Sequence, residues 1–155
     1  MKKSAGILVY RHTGSHYEVL LAHPGGPFWA KKDEHSWSIP KGEFTDNEEA
    51  FDAALREFKE ETGHEITGNF TELTPVRQSD GKVIYIWAVE GDLDASKITS
   101  NTFDLEWPPK SGIIQNIPEI DKAAWFSFDK ATGKIFKGQK PIILELAEKL
   151  GISLA

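Results

Sequence analysis

The stretch from Gly42 to Glu65 limits what this chain can fold into more than any other. It holds nine acidic residues (Glu43, Asp46, Glu48, Glu49, Asp52, Glu57, Glu60, Glu61 and Glu65) against two bases, Arg56 and Lys59, a local net charge of −7. The whole chain carries −6, so the rest of the sequence is close to neutral and the acidic excess sits in one place. Phe51, Ala54, Leu55 and Phe58 recur at i, i+3, i+4 and i+7, the spacing of one apolar helix face. Thr45 and Glu48 have capping-box spacing, and Gly63 is placed as a C-terminal cap. The spacing predicts a helix over Asn47 to Thr62. At about 100° per residue, Glu57, Glu60 and Glu61 fall on one stripe beside the apolar face. One helix thus packs with one side and presents three acids on the next.

The other elements are read from patterning. Strands are expected over Gly6 to Arg11 and Tyr17 to His23, joined by a hairpin loop. A short strand is expected over Ser36 to Pro40, and two more over Phe70 to Gln78 and Lys82 to Glu90 around Ser79-Asp80-Gly81. The stretch Gly91 to Asn116 shows no period and reads as a long surface loop. A last strand is expected over Ala123 to Phe128 and an amphipathic helix over Gln139 to Leu150, with Ile142, Ile143, Leu146 and Leu150 apolar. Strands and helices mixed without a βαβ rhythm favour an α+β sandwich.

A length of 155 residues fits one domain, 1–155, large enough to bury a core without staples. The absence of cysteine excludes disulfides, thiolate metal sites and a cysteine nucleophile. The apolar run at the amino terminus stops at Arg11 with no small-residue cleavage pattern, so it reads as a buried strand rather than a leader. No apolar stretch approaches the roughly 20 residues of a membrane span, and a cytoplasmic protein is expected. The acidic balance argues against binding a nucleic-acid duplex or an anionic membrane.

Three glutamates this close repel one another. A hard divalent cation such as Mg²⁺ would offset that repulsion, and so would water with local pairing to Arg56 and Lys59; the cluster alone fits both. The sequence around it adds more. GEFTDNEEAFDAALREFKEETGH, from Gly42 to His64, resembles the Nudix box, G-x5-E-x7-R-E-U-x-E-E-x-G-U, where U is a bulky apolar residue. It departs from the pattern only in His64, which stands at the last U.

The resemblance implies an α/β/α sandwich with a mixed sheet and the box in a loop-helix-loop. It also implies cleavage of a diphosphate linked to another moiety, X, by water attack on phosphorus with Mg²⁺ or Mn²⁺. By that resemblance Glu57, Glu60 and Glu61 are metal carboxylates, the Gly42 carbonyl is a further ligand, Arg56 orients the glutamates, and Glu48 is structural. Many members add a glutamate six residues before a tryptophan of the last strand, as metal ligand or general base. Glu119 stands six before Trp125, with Glu106 and Asp121 as runners-up.

Trp37-Ser38-Ile39-Pro40-Lys41-Gly42 resembles the W-x-x-P-K-G run of asymmetrical diadenosine tetraphosphate hydrolases and of some inositol-pyrophosphate members. Lys41, one residue before Gly42, is a candidate phosphate contact, and Arg77 and Lys82, near the ends of the next two expected strands, are further candidates. Tyr85 and Trp87 are candidates to stack a base, against core packing. The loops 23–33 and 103–112 combine aromatics with Gly, Pro and Lys, as a substrate cleft would. The five histidines show no metal-ligand spacing. A nucleoside polyphosphate is the expected partner, first a dinucleoside tetraphosphate, with nucleoside triphosphates and ADP-ribose or nucleotide sugars as alternatives. A Nudix-fold sensor without turnover is the reading from another class, though such modules usually lose box glutamates that this chain keeps. Nothing separates monomer from homodimer.

Overall fold

β1 (Lys3–Thr13) is buried from Ser4 to Val9, which is why it reads as a continuous apolar run rather than an alternation. The computed structural model, which describes residues 2–154, covers this strand on both faces. On one side it pairs parallel with β6 (Val83–Glu90), from Lys3↔Val83 to Tyr10↔Glu90. Its other edge is shared. Residues 3–6 pair antiparallel with β3 (Lys41–Phe44), and residues 10–13 pair antiparallel with β2 (His16–Pro24). Between the two partners the Ile7 N–H donates to the Pro40 carbonyl at 3.2 Å. β2 continues the sheet to β9 (Ile120–Ser127), while β4 (Phe70–Glu72) and β5 (Val76–Arg77) line the far edge of β6. A separate ribbon pairs β7 (Thr102–Glu106) with β8 (Ile114–Pro118).

Successive side chains of a strand face opposite ways, so the mixed sheet builds two cores. Ala5, Ile7, Val9 and Leu20 pack against Ala53, Ala54 and Phe58 of α1 (Ala50–Thr62). Leu8, Val19, Leu21, Ile84 and Ile86 pack on the other face with α2 (Phe128–Lys134) and α3 (Lys140–Leu150), through Phe128, Ile142, Ile143 and Leu146. The layers are helix, sheet, helix, as expected. Among the described residues no helix is long and apolar enough to cross a membrane.

Several boundaries differ from the patterning. α1 starts at Ala50, not Asn47, because Thr45 closes a turn instead: its carbonyl accepts from the Glu48 N–H at 3.2 Å and its hydroxyl from the Asn47 N–H at 3.4 Å. No side chain caps the helix, and the capping box does not form. Its end is as expected, with Gly63 at φ 77° and its N–H on the Lys59 carbonyl at 2.8 Å. Ser36 to Pro40 makes only isolated bridges, Ala22↔Ser38 and Trp37↔Ile135, and the strand follows it. Phe70 to Gln78 is broken at Leu73-Thr74-Pro75, where proline lacks an N–H for the ladder. Gly91 to Asn116 contains β7 and the start of β8; nearly all their side chains are exposed, so no alternation marked them. Phe128 opens α2 rather than ending the strand, with the Ser127 hydroxyl accepting from the Lys130 N–H at 3.3 Å.

Candidate active site

The small residues Ala53 and Ala54 and the fully buried Phe58 draw α1 onto β1. That places the acidic stripe against β3. Glu57 and Glu61 are each 8% exposed, and Glu60 is half-buried. The Lys41 main-chain N–H donates to Glu61 Oε1 at 3.0 Å. A Cβ at position 42 would lie 1.8 Å from Glu57 Oε2, so only glycine lets the strand approach the helix this closely. Arg56 organises the outer side: Nε and Nη2 donate to Glu48 at 2.8 and 2.9 Å, and Nη1 to Glu57 at 2.7 Å and Glu60 at 3.1 Å.

Glu119 joins this group from the turn between β8 and β9. Its N–H donates to the Asn101 carbonyl at 2.8 Å, its carbonyl accepts from Gly25 N–H at 2.9 Å, and Asn101 N–H donates to the Glu60 carbonyl at 2.8 Å. The electrostatics record the crowding. Burial pushes the Glu61 carboxyl up to about 8, opposed by the Lys41 N–H and ammonium and reinforced by the charges of Glu119 and Glu57. Burial likewise raises Glu57, with Arg56 opposing and Glu60 and Glu119 adding to the rise. Glu119 is raised by burial and then by Glu60. Burial lowers the Lys41 ammonium, with Glu61 opposing.

Carboxylates that raise one another's pKa beside a glycine cradle offer oxygen donors of the kind a hard cation takes. Among the described residues no three of them already close on a single point; the Arg56 guanidinium lies between Glu57 and Glu60.

A family model described as NUDIX domain matches residues 1–146. The chain belongs to the Nudix family. It is 30% identical over 106 residues to the m7GpppN-mRNA hydrolase of Saccharomyces cerevisiae, a match covering 68% of this chain and 10% of that protein. It is 36% identical over 66 residues to the RNA pyrophosphohydrolase of Bartonella henselae, covering 40% and 35%. The matched segments thus span about a tenth and about a third of these curated relatives. Among solved structures it resembles an Ap4A hydrolase binary complex from C. elegans, with TM-score 0.64, 21% identity and coverage of 97% and 98%. The NUDIX domain of Shewanella oneidensis NrtR with ADP ribose gives TM-score 0.63, 17% identity and coverage of 96% and 87%. At these identities the structures speak to the Nudix fold.

In the Nudix chain the sequence-predicted acids separate. The box glutamates and Glu119 come together, whereas the two runners-up are engaged elsewhere. Asp121 Oδ1 lies 2.9 Å from His23 Nδ1, and Glu106 accepts from the Lys110 and Gly112 N–H groups at 3.0 and 3.2 Å, closing the ribbon turn. Glu48 sits before the Nudix helix and pairs with Arg56. Lys82 Nζ is 3.3 Å from Glu43, and Lys2, Arg77, Asp80 and Lys82 line one shallow depression beside β3. Tyr85 is half-buried with its ring 6.1 Å from Phe44, and Trp87 packs on Phe51 at 5.3 Å under the Nudix helix, as a core residue does. Sequence reasoning missed Lys2 and Asn101, and gave His23 and Gly25 only a place in the 23–33 loop; their contacts to Asp121 and Glu119 are remote in the chain.

Proposed function

We propose that this Nudix chain is a metal-dependent pyrophosphohydrolase that cleaves the diphosphate linkage of a nucleoside diphosphate-X compound. The observation that carries this reading is the meeting of Glu57, Glu60 and Glu61 on one helix stripe with Gly42 and with Glu119 from the far end of the sheet. Gly42, through its carbonyl, and Glu57, Glu60, Glu61 and Glu119 would hold Mg²⁺ or Mn²⁺. Such an ion, when bound, neutralises phosphate charge and makes water a better nucleophile.

The chain's own residues do the rest. Arg56 fixes the rotamers of Glu57 and Glu60, and the Lys41 N–H fixes Glu61. Glu119, its carboxyl raised by burial and by the charge of Glu60, accepts the proton as water attacks phosphorus. The bond from phosphorus to the bridging oxygen breaks, and the leaving phosphate keeps that oxygen. Lys41, Lys82 and Arg77, at the β3 end of the site, contact the remaining phosphates.

A dinucleoside tetraphosphate giving ATP and AMP is the first substrate, supported by the Trp37 to Gly42 run and by fold likeness to the C. elegans Ap4A hydrolase along nearly the whole of both chains. The second reading is the 5′ polyphosphate end of an RNA, favoured by the two curated relatives, both named for RNA substrates. The test incubates the protein with diadenosine tetraphosphate, deoxynucleoside triphosphates, ADP-ribose and a 5′-triphosphorylated RNA, with and without Mg²⁺, and separates the products. ATP plus AMP formed only with Mg²⁺ supports the first reading, and loss of another component replaces it within the same chemistry. Glu60→Gln is expected to lose at least about 100-fold in kcat with its circular dichroism unchanged. Native-level ligand binding with no turnover by the parent protein would instead mark a sensor.

A further inference from the structure

His23 is fully buried, with its ring edge on Trp37, and no sequence pattern gives it a task. Its Nε2 lies 2.7 Å from the Lys32 carbonyl and its Nδ1 2.9 Å from Asp121 Oδ1. A carbonyl only accepts, so Nε2 carries a hydrogen and donates it there. The ring therefore bridges the middle of the loop that follows β2 and a residue two positions past Glu119.

The register explains what it bridges to. His23 pairs with Lys122 and Pro24 with Ile120, leaving Asp121 as an extra residue on β9. Such a bulge bends the strand and re-aims the side chains next to it. Gly25, just beyond, donates its N–H to the Glu119 carbonyl at 2.9 Å, and a Cβ there would fall 2.0 Å from the Pro118 oxygen. On the opposite side Glu119 and Ile120 are held by Asn101 and by the Ser100 hydroxyl at 2.8 and 3.0 Å, and Asn101 is tied to the Glu60 carbonyl. The Glu119 turn is thus anchored to α1 on one flank and, on the other, to a bulge whose extra residue, Asp121, meets the His23 ring.

We propose that His23 is a positioning residue: by holding Asp121 in the bulge and closing the loop through Lys32, it aims the Glu119 carboxylate at the helix glutamates. The inference rests on the proposed role of Glu119, and Asp121 acts only as the ring's partner.

The test compares His23→Ala, Asp121→Ala and Asp121→Asn in the full chain. An asparagine amide can either donate to Nδ1 or accept from it, so Asp121→Asn preserves the bridge and Asp121→Ala breaks it. His23→Ala and Asp121→Ala are expected to lower kcat about tenfold or more with KM within about twofold, while Asp121→Asn stays within about threefold of the parent. Combining His23→Ala with Glu119→Gln is expected to cost no more than Glu119→Gln alone, because the two act as a unit. Losses that add in the double variant, or an Asp121→Asn as impaired as Asp121→Ala, would overturn the proposal. If His23→Ala does not fold, the Asp121 pair decides. If the parent protein hydrolyses no phosphoanhydride, the functional reading fails, and the clamp is judged by amide hydrogen exchange at Gly25 and Glu119. Exchange that quickens in Asp121→Ala but not in Asp121→Asn supports it; unchanged protection in Asp121→Ala defeats it.

Discussion

At position 42 one methyl group separates a working approach of strand to helix from a collision with Glu57. The overlap is with a carboxylate that Arg56 also holds, so the side chain cannot swing clear without giving up its ion pair. Gly42→Ala is expected to fold and to lose about 100-fold in kcat, since displacements near 1 Å at a reacting centre cost that much; steady-state kinetics beside a thermal melt would check it. Helix geometry is local, so Glu57, Glu60 and Glu61 could be placed on one stripe from spacing alone. Glu119 was reachable only through its distance from Trp125 in a recognised family pattern. His23 and Gln139 could not be found that way, because their partners lie 98 and 100 residues off in the chain. Gln139 is fully buried, accepting from the Ile39 N–H at 3.0 Å and donating to the Ser38 hydroxyl at 3.0 Å, yet in sequence it resembles any surface glutamine.

Among the elements, α1 serves the site and the core with the same turns. Phe58 is its largest fully buried side chain and sits between Glu57 and the Glu60–Glu61 pair along the chain. Phe58→Ala is expected to cost about 3–5 kcal/mol in a denaturant titration, through lost burial and the cavity left behind. The helix was legible because its apolar period is long and its end is marked by glycine. Its start was misread because the capping-box glutamate, Glu48, is drawn away by Arg56 eight residues on, a two-pronged pair of charged groups that a neutral cap cannot match. The β7–β8 ribbon escaped notice for the opposite reason: with Phe103, Ile113 and Ile114 left exposed, no buried face imposes a period on it.

The molecule as a whole stores repulsion in its carboxylates, and pH should reveal it. A Glu61 carboxyl that titrates at its ordinary value of 4.5 when unfolded and at about 8 when folded keeps an extra proton in the folded state between those values. The folded form then binds more protons than the unfolded one, so stability falls as pH rises through that window. Metal-free protein is expected to melt at progressively lower temperature from about pH 5 to about pH 8, and Glu61→Gln to flatten that slope. Mg²⁺ or Mn²⁺ should raise the melting temperature more at the higher pH, where the carboxylates are ionised. Calorimetry across the pH series with and without metal would decide it.

β1 is shared along a single edge between β3 and β2, which makes the sheet a fork with its crotch at Ile7 and its two tines joined through residues 25–40. Lys31 and Lys32 stand exposed on that joining span. A brief trypsin digest that severs the chain there should leave each tine still zipped to the stem. The two fragments are expected to run as one species on a native gel and to part only in denaturant, so that the continuity of this molecule lies in its ladder more than in its covalent backbone.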